Sequence, residues 1–225
     1  MENNGNALTP ISELGEFALI DQLLEDFIPK NSSTIFGGGD DAAVLKYGEE
    51  FLLISTDSYV EGVHFDLAYT PLQHLGYKCI TGSISDIYAM NGRPGQVTVA
   101  LALSSRFTVE SVEEIYKGIR TACDLYSVDL VGGDTTSSRA GLVINVTAIG
   151  NAVNDKIAYR NGANEHDVIC VSGDLGAAYI GLQILEREKR VFLEQPDMQP
   201  ELQGFDYVLR RQLRPEARKD VIQLL

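Results

Sequence analysis

The sequence lacks the ligand spacings from which zinc sites are built. Its three cysteines, Cys79, Cys123 and Cys170, lie far apart and form no CxxC pair, and no second histidine stands at ligand spacing from His64. These absences argue against a zinc site. Isolated cysteines are usually buried and stay reduced in the cytosol, so we expect a cytoplasmic protein.

Membrane-directed features are also missing. No apolar run approaches the roughly 18 residues that a membrane-spanning helix needs. The first ten residues, Met1 to Pro10, are polar and rich in asparagine, without the basic start and apolar core of a signal peptide. We therefore expect no membrane association and no secretion signal.

Basic residues are scarce. The chain has 18 Lys and Arg against 32 Asp and Glu, which gives a formal net charge of −14. A nucleic-acid backbone would repel such a surface, so we expect no nucleic-acid partner. An acidic excess is usually a solvated surface, but it also suits carboxylates that bind divalent cations.

Two catalytic motifs are absent. The glycine run at residues 37–39 is not followed by Gly-Lys-Ser/Thr, so it is not a P-loop. No GxSxG sequence occurs, which removes the usual signature of an α/β-hydrolase nucleophile. The sequence therefore favours neither a P-loop NTPase nor a hydrolase that forms a covalent intermediate.

Hydrophobic periodicity predicts alternating helices and short strands along the chain. A composition shift at residues 151–162 predicts a linker, which divides the chain into residues 1–150 and a linker with an incomplete second domain at 151–225. The predicted elements are a helix at 11–28, strands at 42–45 and 51–55, a helix at 71–90, a strand at 97–103, a helix at 108–126, a strand at 129–131 ending in a turn at 132–135, strands at 142–149 and 168–172, and a helix at 175–189.

Four acidic clusters each place an aspartate at a strand end, on a turn of small residues, or in an apolar helix. They are Gly38-Gly39-Asp40-Asp41, Ser55-Thr56-Asp57, Ser85-Asp86 and Gly132-Gly133-Asp134-Thr135. Mg²⁺ prefers oxygen ligands, usually one or two carboxylates with waters and substrate phosphates. Aspartates that converge from separate loops could hold several such ions against a triphosphate. The alternative is that the glycines only make turns and that Ser-Thr-Asp only closes a strand.

Asp86 is the most informative of these residues because its predicted helix is apolar around much of its circumference. An unpaired carboxylate in such a helix is costly. Helical spacing groups Gly82, Ser83 and Asp86 on a narrow polar face. A metal or a cationic partner would explain that face, and a salt-bridged or surface aspartate is the alternative.

These clusters, in this order, resemble the thiamine-monophosphate kinase family, within the superfamily of aminoimidazole ribonucleotide synthetase. The match runs from about Ile11 to Arg218 and is specific through its joint order, since each motif alone is weak. The family's later Ser-Asp-Gly-Leu motif does not occur in this chain. The matching stretches are Gly15-Glu16-Phe17 with Leu19-Ile20, Gly39-Asp40-Asp41-Ala42, Ile54-Ser55-Thr56-Asp57 with Gly62-Val63-His64-Phe65, Ser85-Asp86-Ile87-Tyr88-Ala89-Met90, Leu130-Val131-Gly132-Gly133-Asp134-Thr135-Thr136, and Arg160-Asn161-Gly162-Ala163.

The resemblance implies an α+β fold. It would contain a mixed or antiparallel sheet with helices on one face, as in the N-terminal domain of aminoimidazole ribonucleotide synthetase, followed by part of a second α+β domain. Residues 1–150 would bind ATP and Mg²⁺ and would pair with a second copy in a homodimer.

The resemblance also implies roles for individual residues. Several Mg²⁺ ions would be bound by Asp40, Asp41, Ser55, Thr56, Asp57, Asp86 and Asp134. ATP would contact Tyr116, Gly133, Asp134 and Arg160, and His64 would contact the thiamine phosphate.

The implied reaction is the ATP-dependent phosphorylation of thiamine monophosphate to thiamine diphosphate by direct in-line transfer. The attacking group would be a substrate phosphate, whose second pKa is about 6, so we expect no general base. Two alternatives stay open. One is another ATP-using enzyme of the superfamily, of purine-pathway or hydrogenase-maturation type, and the other is a non-catalytic metal-binding dimerisation module.

Overall fold

The computed structural model describes residues 9–224. Most of the segment from Met1 to Pro10, for which we expected no secretion signal, lies outside that range. No helix in the described part of the chain is both long and apolar enough to cross a membrane.

Six strands of the described residues form one mixed sheet in the order β1-β2-β3-β6-β4-β5. Only β4 and β5 pair in parallel, and the other neighbours are antiparallel. The strands are β1 (Thr34–Phe36), β2 (Ala43–Tyr47), β3 (Glu50–Val60), β4 (Arg93–Leu103), β5 (Asp129–Ser137) and β6 (Val143–Ala152).

The helices α1 (Ile11–Leu24), α2 (Leu72–Ala89), α3 (Val109–Tyr126), α4 (Ala177–Glu194), α5 (Asp206–Leu213) and α6 (Lys219–Ile222) complete the described elements, with a short 3-10 helix at Asn154–Lys156. The central helix α2 packs on β3, β6 and β4, and α3 packs beside α2. This arrangement confirms the predicted α+β fold with a mixed sheet.

The two faces of the sheet differ in character because strand residues alternate between them. Ile144, Val146 and Ala148 of β6 are fully buried in the core beneath the helices. The intervening Asn145 and Thr147 lie on the opposite, open face, where they bond to residues of β3. The open face is therefore polar near its centre.

The turn predicted at residues 132–135 is wrong. Strand β5 runs straight through these residues because their backbone pairs with β4 from Thr98 onward. A Cβ at Gly133 would lie 1.8 Å from the Val99 carbonyl oxygen, so this glycine is required by close strand approach rather than by a turn.

The strand predicted at residues 168–172 is also wrong. This segment is irregular, and Val168 and Ile169 are 84% and 93% exposed. A strand needs a hydrogen-bonding neighbour, and no strand within residues 9–224 pairs with this segment. An apolar, β-branched composition is therefore not enough to form a strand without a neighbouring strand to pair with.

The first helix is shorter than predicted. It ends at Leu24 rather than at residue 28, and Gly15 interrupts it with a φ of 73°. No residue of α1 is buried, and Phe17 is 68% exposed, so its apolar stripe does not contribute to the core. Beyond the sheet, α4 packs on α5 and is joined to the N-terminal part by the Lys189–Asp66 ion pair. The division at residue 150 stays a prediction.

Candidate functional site

The candidate site lies where β3 faces α2. Alternation along β3 places Ser55, Asp57 and Tyr59 on the side that faces the helix. Ser55 Oγ donates a hydrogen bond of 2.5 Å to Asp86 Oδ2, and the Tyr59 hydroxyl lies 3.4 Å from Ser83 Oγ. The polar helical face predicted around Ser83 and Asp86 therefore does meet the end of the Ser-Thr-Asp strand.

Asp86 has a raised pKa of about 6. Burial is the largest cause, and the neighbouring carboxylates of Asp57 and Asp41 raise it further. The Ser55 hydrogen bond and the Arg160 guanidinium oppose the shift. The charges of Asp41, Asp57 and Arg160 thus all act on Asp86. We call the region around these four side chains the acidic pocket.

Arg160 lies at the edge of this pocket and belongs to the segment that follows β6. Its Nη2 lies 2.5 Å from Asp41 Oδ1, and its backbone N–H donates to Asp40 Oδ2 at 2.9 Å. The segment is docked on the end of α2 by a 3.2 Å bond from the Ala158 N–H to the Met90 carbonyl. The Asp41 carboxylate raises the pKa of Arg160, so the guanidinium stays charged at the edge of the acidic pocket.

Thr56 and Asp134 lie elsewhere. Thr56 Oγ1 is 3.0 Å from Thr147 Oγ1 on the open face. The strand register aligns Asp134 with the row of Ser58 and aligns Asp57 with the adjacent row, so the two aspartates face opposite sides of the sheet. The strands β3 and β5 are three positions apart, roughly 14 Å. One chain therefore does not bring all four predicted aspartate clusters together.

A cavity of about 580 Å³ runs beside β5. Three of the four predicted ATP contacts, Tyr116, Gly133 and Asp134, line it, whereas Arg160 belongs to the acidic pocket. A second, mostly apolar cavity of about 410 Å³ shares Tyr116 and Thr135 with it. The two cavities are therefore neighbours, on either side of Tyr116 and Thr135.

His64 stands on the loop after β3. Its Nδ1 accepts the Val60 N–H at 3.0 Å, so the neutral ring carries its proton on Nε2. The side chain is exposed, and its ring lies edge-on to Tyr59 with centroids 6.2 Å apart. His64 can therefore offer an Nε2–H donor to an anionic ligand.

Tyr59 is a site residue outside the predicted set. Its hydroxyl lies 3.4 Å from Asp57 Oδ2 and contacts the polar face of α2. The same period of two that relates Ser55 to Asp57 continues to Tyr59 and could have revealed it.

The donor chemistry fits Mg²⁺ bound together with a phosphate ligand. No three His, Cys, Asp or Glu side chains in the described ranges are placed to hold an ion on their own. Mg²⁺ usually takes only one or two carboxylates and completes its shell with waters and substrate phosphates. Asp57, Asp86 and Asp41, with the Ser55 hydroxyl, offer oxygen donors for that open mode of binding.

Comparison with known proteins gives the family. The family model described as AIR synthase related protein, N-terminal domain, matches residues 39–152, about half of the chain. The chain belongs to this AIR synthase-related family. The matched residues include every predicted metal ligand from Asp40 to Asp134, while Arg160 lies just beyond them.

Individual proteins are similar over three-quarters or more of this chain. Thiamine-monophosphate kinase of Bacillus subtilis is 36% identical over 94% of this chain and 63% of its own length. A solved structure of AaThiL complexed with AMPPCP and TMP is 32% identical, with a TM-score of 0.80 over 96% of this chain and 64% of that one. Hydrogenase maturation protein HypE in complex with ATP is 26% identical, with a TM-score of 0.54 over 76% of this chain and 50% of that one. These matches confirm the resemblance seen in the sequence, and the chain spans about three-fifths of the length of the curated relatives it matches.

Replacing Asp86 with asparagine is expected to stabilise the protein at alkaline pH without divalent ions. The folded pKa of about 6 lies above the ordinary value of 3.8, so ionised Asp86 destabilises the fold above about pH 6 and the penalty disappears as the pH falls to about 4. Asparagine removes the charge and can still accept from Ser55. Allowing for partial solvent screening, we expect a gain of about 1–2 kcal/mol at about pH 8 and none at about pH 4.

Urea unfolding in a chelator at both pH values measures this difference. A gain that is equal at both pH values, or a loss at the higher one, would contradict the crowding of charge around Asp86.

Proposed function

We propose that the chain is the ATP- and Mg²⁺-binding part of a cytoplasmic thiamine-monophosphate kinase, which transfers the γ-phosphoryl group of ATP to thiamine monophosphate and gives thiamine diphosphate. The observation that carries this proposal is a set of linked contacts: Arg160 pairs with Asp41, Ser55 bonds to Asp86, and the charges of Asp41, Asp57 and Arg160 all act on Asp86. The similarity to AaThiL complexed with AMPPCP and TMP supports the choice of substrates.

The acidic pocket would hold the metal ions. Asp41, Asp57 and Asp86, with Asp40 and Ser55 beside them, offer the oxygen donors. Bound Mg²⁺ would neutralise the triphosphate and polarise its γ-phosphoryl group.

Arg160 and the cavity beside β5 would hold the rest of the nucleotide. Arg160, kept at the edge of the pocket by Asp40 and Asp41, would place a cation against the transferring phosphoryl group. The glycine backbone of β5 would lie against the phosphates, and the apolar cavity beyond Tyr116 would receive the base.

The open face of the sheet would form a homodimer interface. Thr56 and Asp134 lie on this face, away from the acidic pocket. Pairing with a second copy would enclose both residues between two sheets, where their oxygens could join the metal and nucleotide sites.

The acceptor phosphate would bind at His64. The fixed tautomer presents Nε2–H, which suits a phosphate oxygen. The attacking phosphate oxygen is already ionised near neutral pH, so positioning replaces a general base. No residue of the chain is needed to abstract a proton.

Substitution of His64 by asparagine tests the acceptor site. The new amide oxygen can accept the Val60 N–H as Nδ1 does, but the Nε2–H donor is lost. We expect the KM for thiamine monophosphate to rise about tenfold, the loss of one hydrogen bond to a charged group, while binding of AMPPCP stays unchanged. An unchanged KM would remove His64 from the site.

The reaction itself is tested by incubating the protein with ATP, Mg²⁺ and one acceptor at a time. Thiamine diphosphate formed only with thiamine monophosphate supports the proposal. ATP consumption only with a purine ribonucleotide favours the second candidate, another ATP-using enzyme of the superfamily; the fold is also similar to that of HypE in complex with ATP. Metal binding without any nucleotide binding would indicate a non-catalytic metal-binding module.

A further inference from the structure

We propose that Tyr59 is a positioning residue of the metal site, whose phenol orients the Asp57 carboxylate from between β3 and α2. This inference rests on the proposed function, because Asp57 matters in this way only if it binds metal. It assigns a role to a side chain outside the predicted set of ligands.

The phenol occupies a defined slot. Its oxygen lies 3.4 Å from Asp57 Oδ2 on its own strand and 3.4 Å from Ser83 Oγ on α2. Ser83 is fully buried, and Ser55 joins Asp86 one step further along the same interface. Two polar contacts between strand and helix thus flank Asp57.

Gly82 makes room for the hydroxyl group. A Cβ at this position would lie 2.2 Å from the Tyr59 hydroxyl oxygen and 3.3 Å from the ring carbon Cζ that carries it. A side chain here would collide with the hydroxyl but would only press on the ring. The absence of a side chain at Gly82 therefore lets α2 approach the Tyr59 hydroxyl group of β3 closely.

The direction of the hydrogen bonds follows from chemistry. Burial is the largest of the causes that raise the pKa of Tyr59 far above its usual value, so the phenol stays protonated. An ionised Asp57 can only accept, whereas Ser83 can donate or accept. The consistent arrangement has Ser83 donating to the phenol oxygen and the phenol donating to Asp57.

Tyr59 also reaches the loop that carries the proposed acceptor site. The edge-on contact with His64, at an interplanar angle of 68°, joins the ring to that loop. One side chain therefore contacts a proposed metal ligand through its hydroxyl group and a proposed substrate contact through its ring.

Mutation of a side chain that orients a metal ligand usually lowers the metal affinity about tenfold to a hundredfold. Because both contacts of the phenol are long, we expect the lower end of this range. Tyr59→Phe is expected to raise the Mg²⁺ concentration for half-maximal AMPPCP binding about tenfold, with little change in melting temperature. Tyr47→Phe, at a side chain that is 78% exposed, is the matched control and should change neither quantity.

Gly82→Ala provides a second variant that keeps the phenol but displaces it. We expect it to raise the Mg²⁺ requirement in the native background and to have a much smaller effect in the Tyr59→Phe background, where the collision with the hydroxyl is gone. Equal effects in both backgrounds would overturn the proposed role of the hydroxyl.

Asp57→Asn separates the two levels of the proposal. If Asp57→Asn weakens Mg²⁺-dependent binding but Tyr59→Phe and Gly82→Ala leave the Mg²⁺ requirement unchanged, Tyr59 does not position Asp57 and the proposed function stands. If Asp57→Asn also has no effect, the proposed metal site is wrong and the role of Tyr59 falls with it.

Discussion

Asp57→Asn is expected to lower the affinity for AMPPCP in the presence of Mg²⁺ about a hundredfold or more. Asp57 lies between the Ser55–Asp86 and Tyr59–Ser83 contacts, and its charge acts on Asp86. Asparagine keeps the shape but removes an anionic ligand, whereas even partners outside the ligand shell typically cost tenfold or more. Titration calorimetry with and without Mg²⁺ measures the effect.

The same variant should not be less stable without metal. Loss of one of three neighbouring carboxylates relieves like-charge repulsion, so the melting temperature in a chelator is expected to stay the same or to rise. Asp124→Asn, at an exposed position on α3, is the matched control for loss of one negative charge. If both variants bind the nucleotide equally well, the acidic pocket is not the metal site.

Asp134→Asn probes a different part of the molecule. It is also expected to weaken Mg²⁺-dependent binding, but Asp134 lies on the open face and does not act on Asp86. The raised pKa of Asp86 should therefore persist in Asp134→Asn, whereas Asp57→Asn should lower it. Following the Asp86 carboxyl by NMR titration distinguishes the two.

Local periodicity predicted the part of the site that depends on local geometry. The helical spacing of α2 is a short-range property, and it placed Ser83 with Asp86 before the fold was known. The alternation of β3 is equally local, but the predicted ligand set kept Thr56 together with Ser55 and Asp57, although Thr56 points to the open face. The same alternation extends to Tyr59, which it places on the helix-facing side with Asp57.

Sheet order could not be predicted in the same way. The wide separation of Asp134 from Asp57 follows from the order β3-β6-β4-β5, which brings together strands far apart in sequence. The glycines before Asp134 predict a turn from local chemistry alone, but pairing with β4 makes them part of a strand. At Val168 the opposite occurs, because a strand-like composition finds no neighbour within the described residues.

The position of Arg160 could be predicted only in part. The resemblance assigned it to the nucleotide, and the structure places it on Asp41 at the edge of the acidic pocket. That placement depends on the docking of its segment against the end of α2, a long-range contact that no local pattern indicates.

Gly118→Ala is expected to destabilise the fold by about 3 kcal/mol, at the upper end of the usual cost of overpacking. A Cβ at Gly118 would lie 1.8 Å from the Gln73 carbonyl oxygen, and one at Gly76 would lie 2.0 Å from the Ile115 carbonyl oxygen. Backbone atoms on both sides leave no flexible side chain to move aside. In an exposed helix the same change would instead gain up to about 1 kcal/mol.

Urea unfolding measures the loss, with Gly95→Ala as the control, since a Cβ there meets no atom within 4 Å. The effect should extend to the site, because α3 supports α2 from behind and α2 carries Ser83 and Asp86. Forcing the two helices apart presses α2 toward β3 or tilts it, so Mg²⁺-dependent AMPPCP binding should weaken even where the variant is still folded. Stability equal to that of Gly95→Ala would show that the α2–α3 contact is not close-packed at its glycines, and the rigid placement of Asp86 against Ser55 would then need another support.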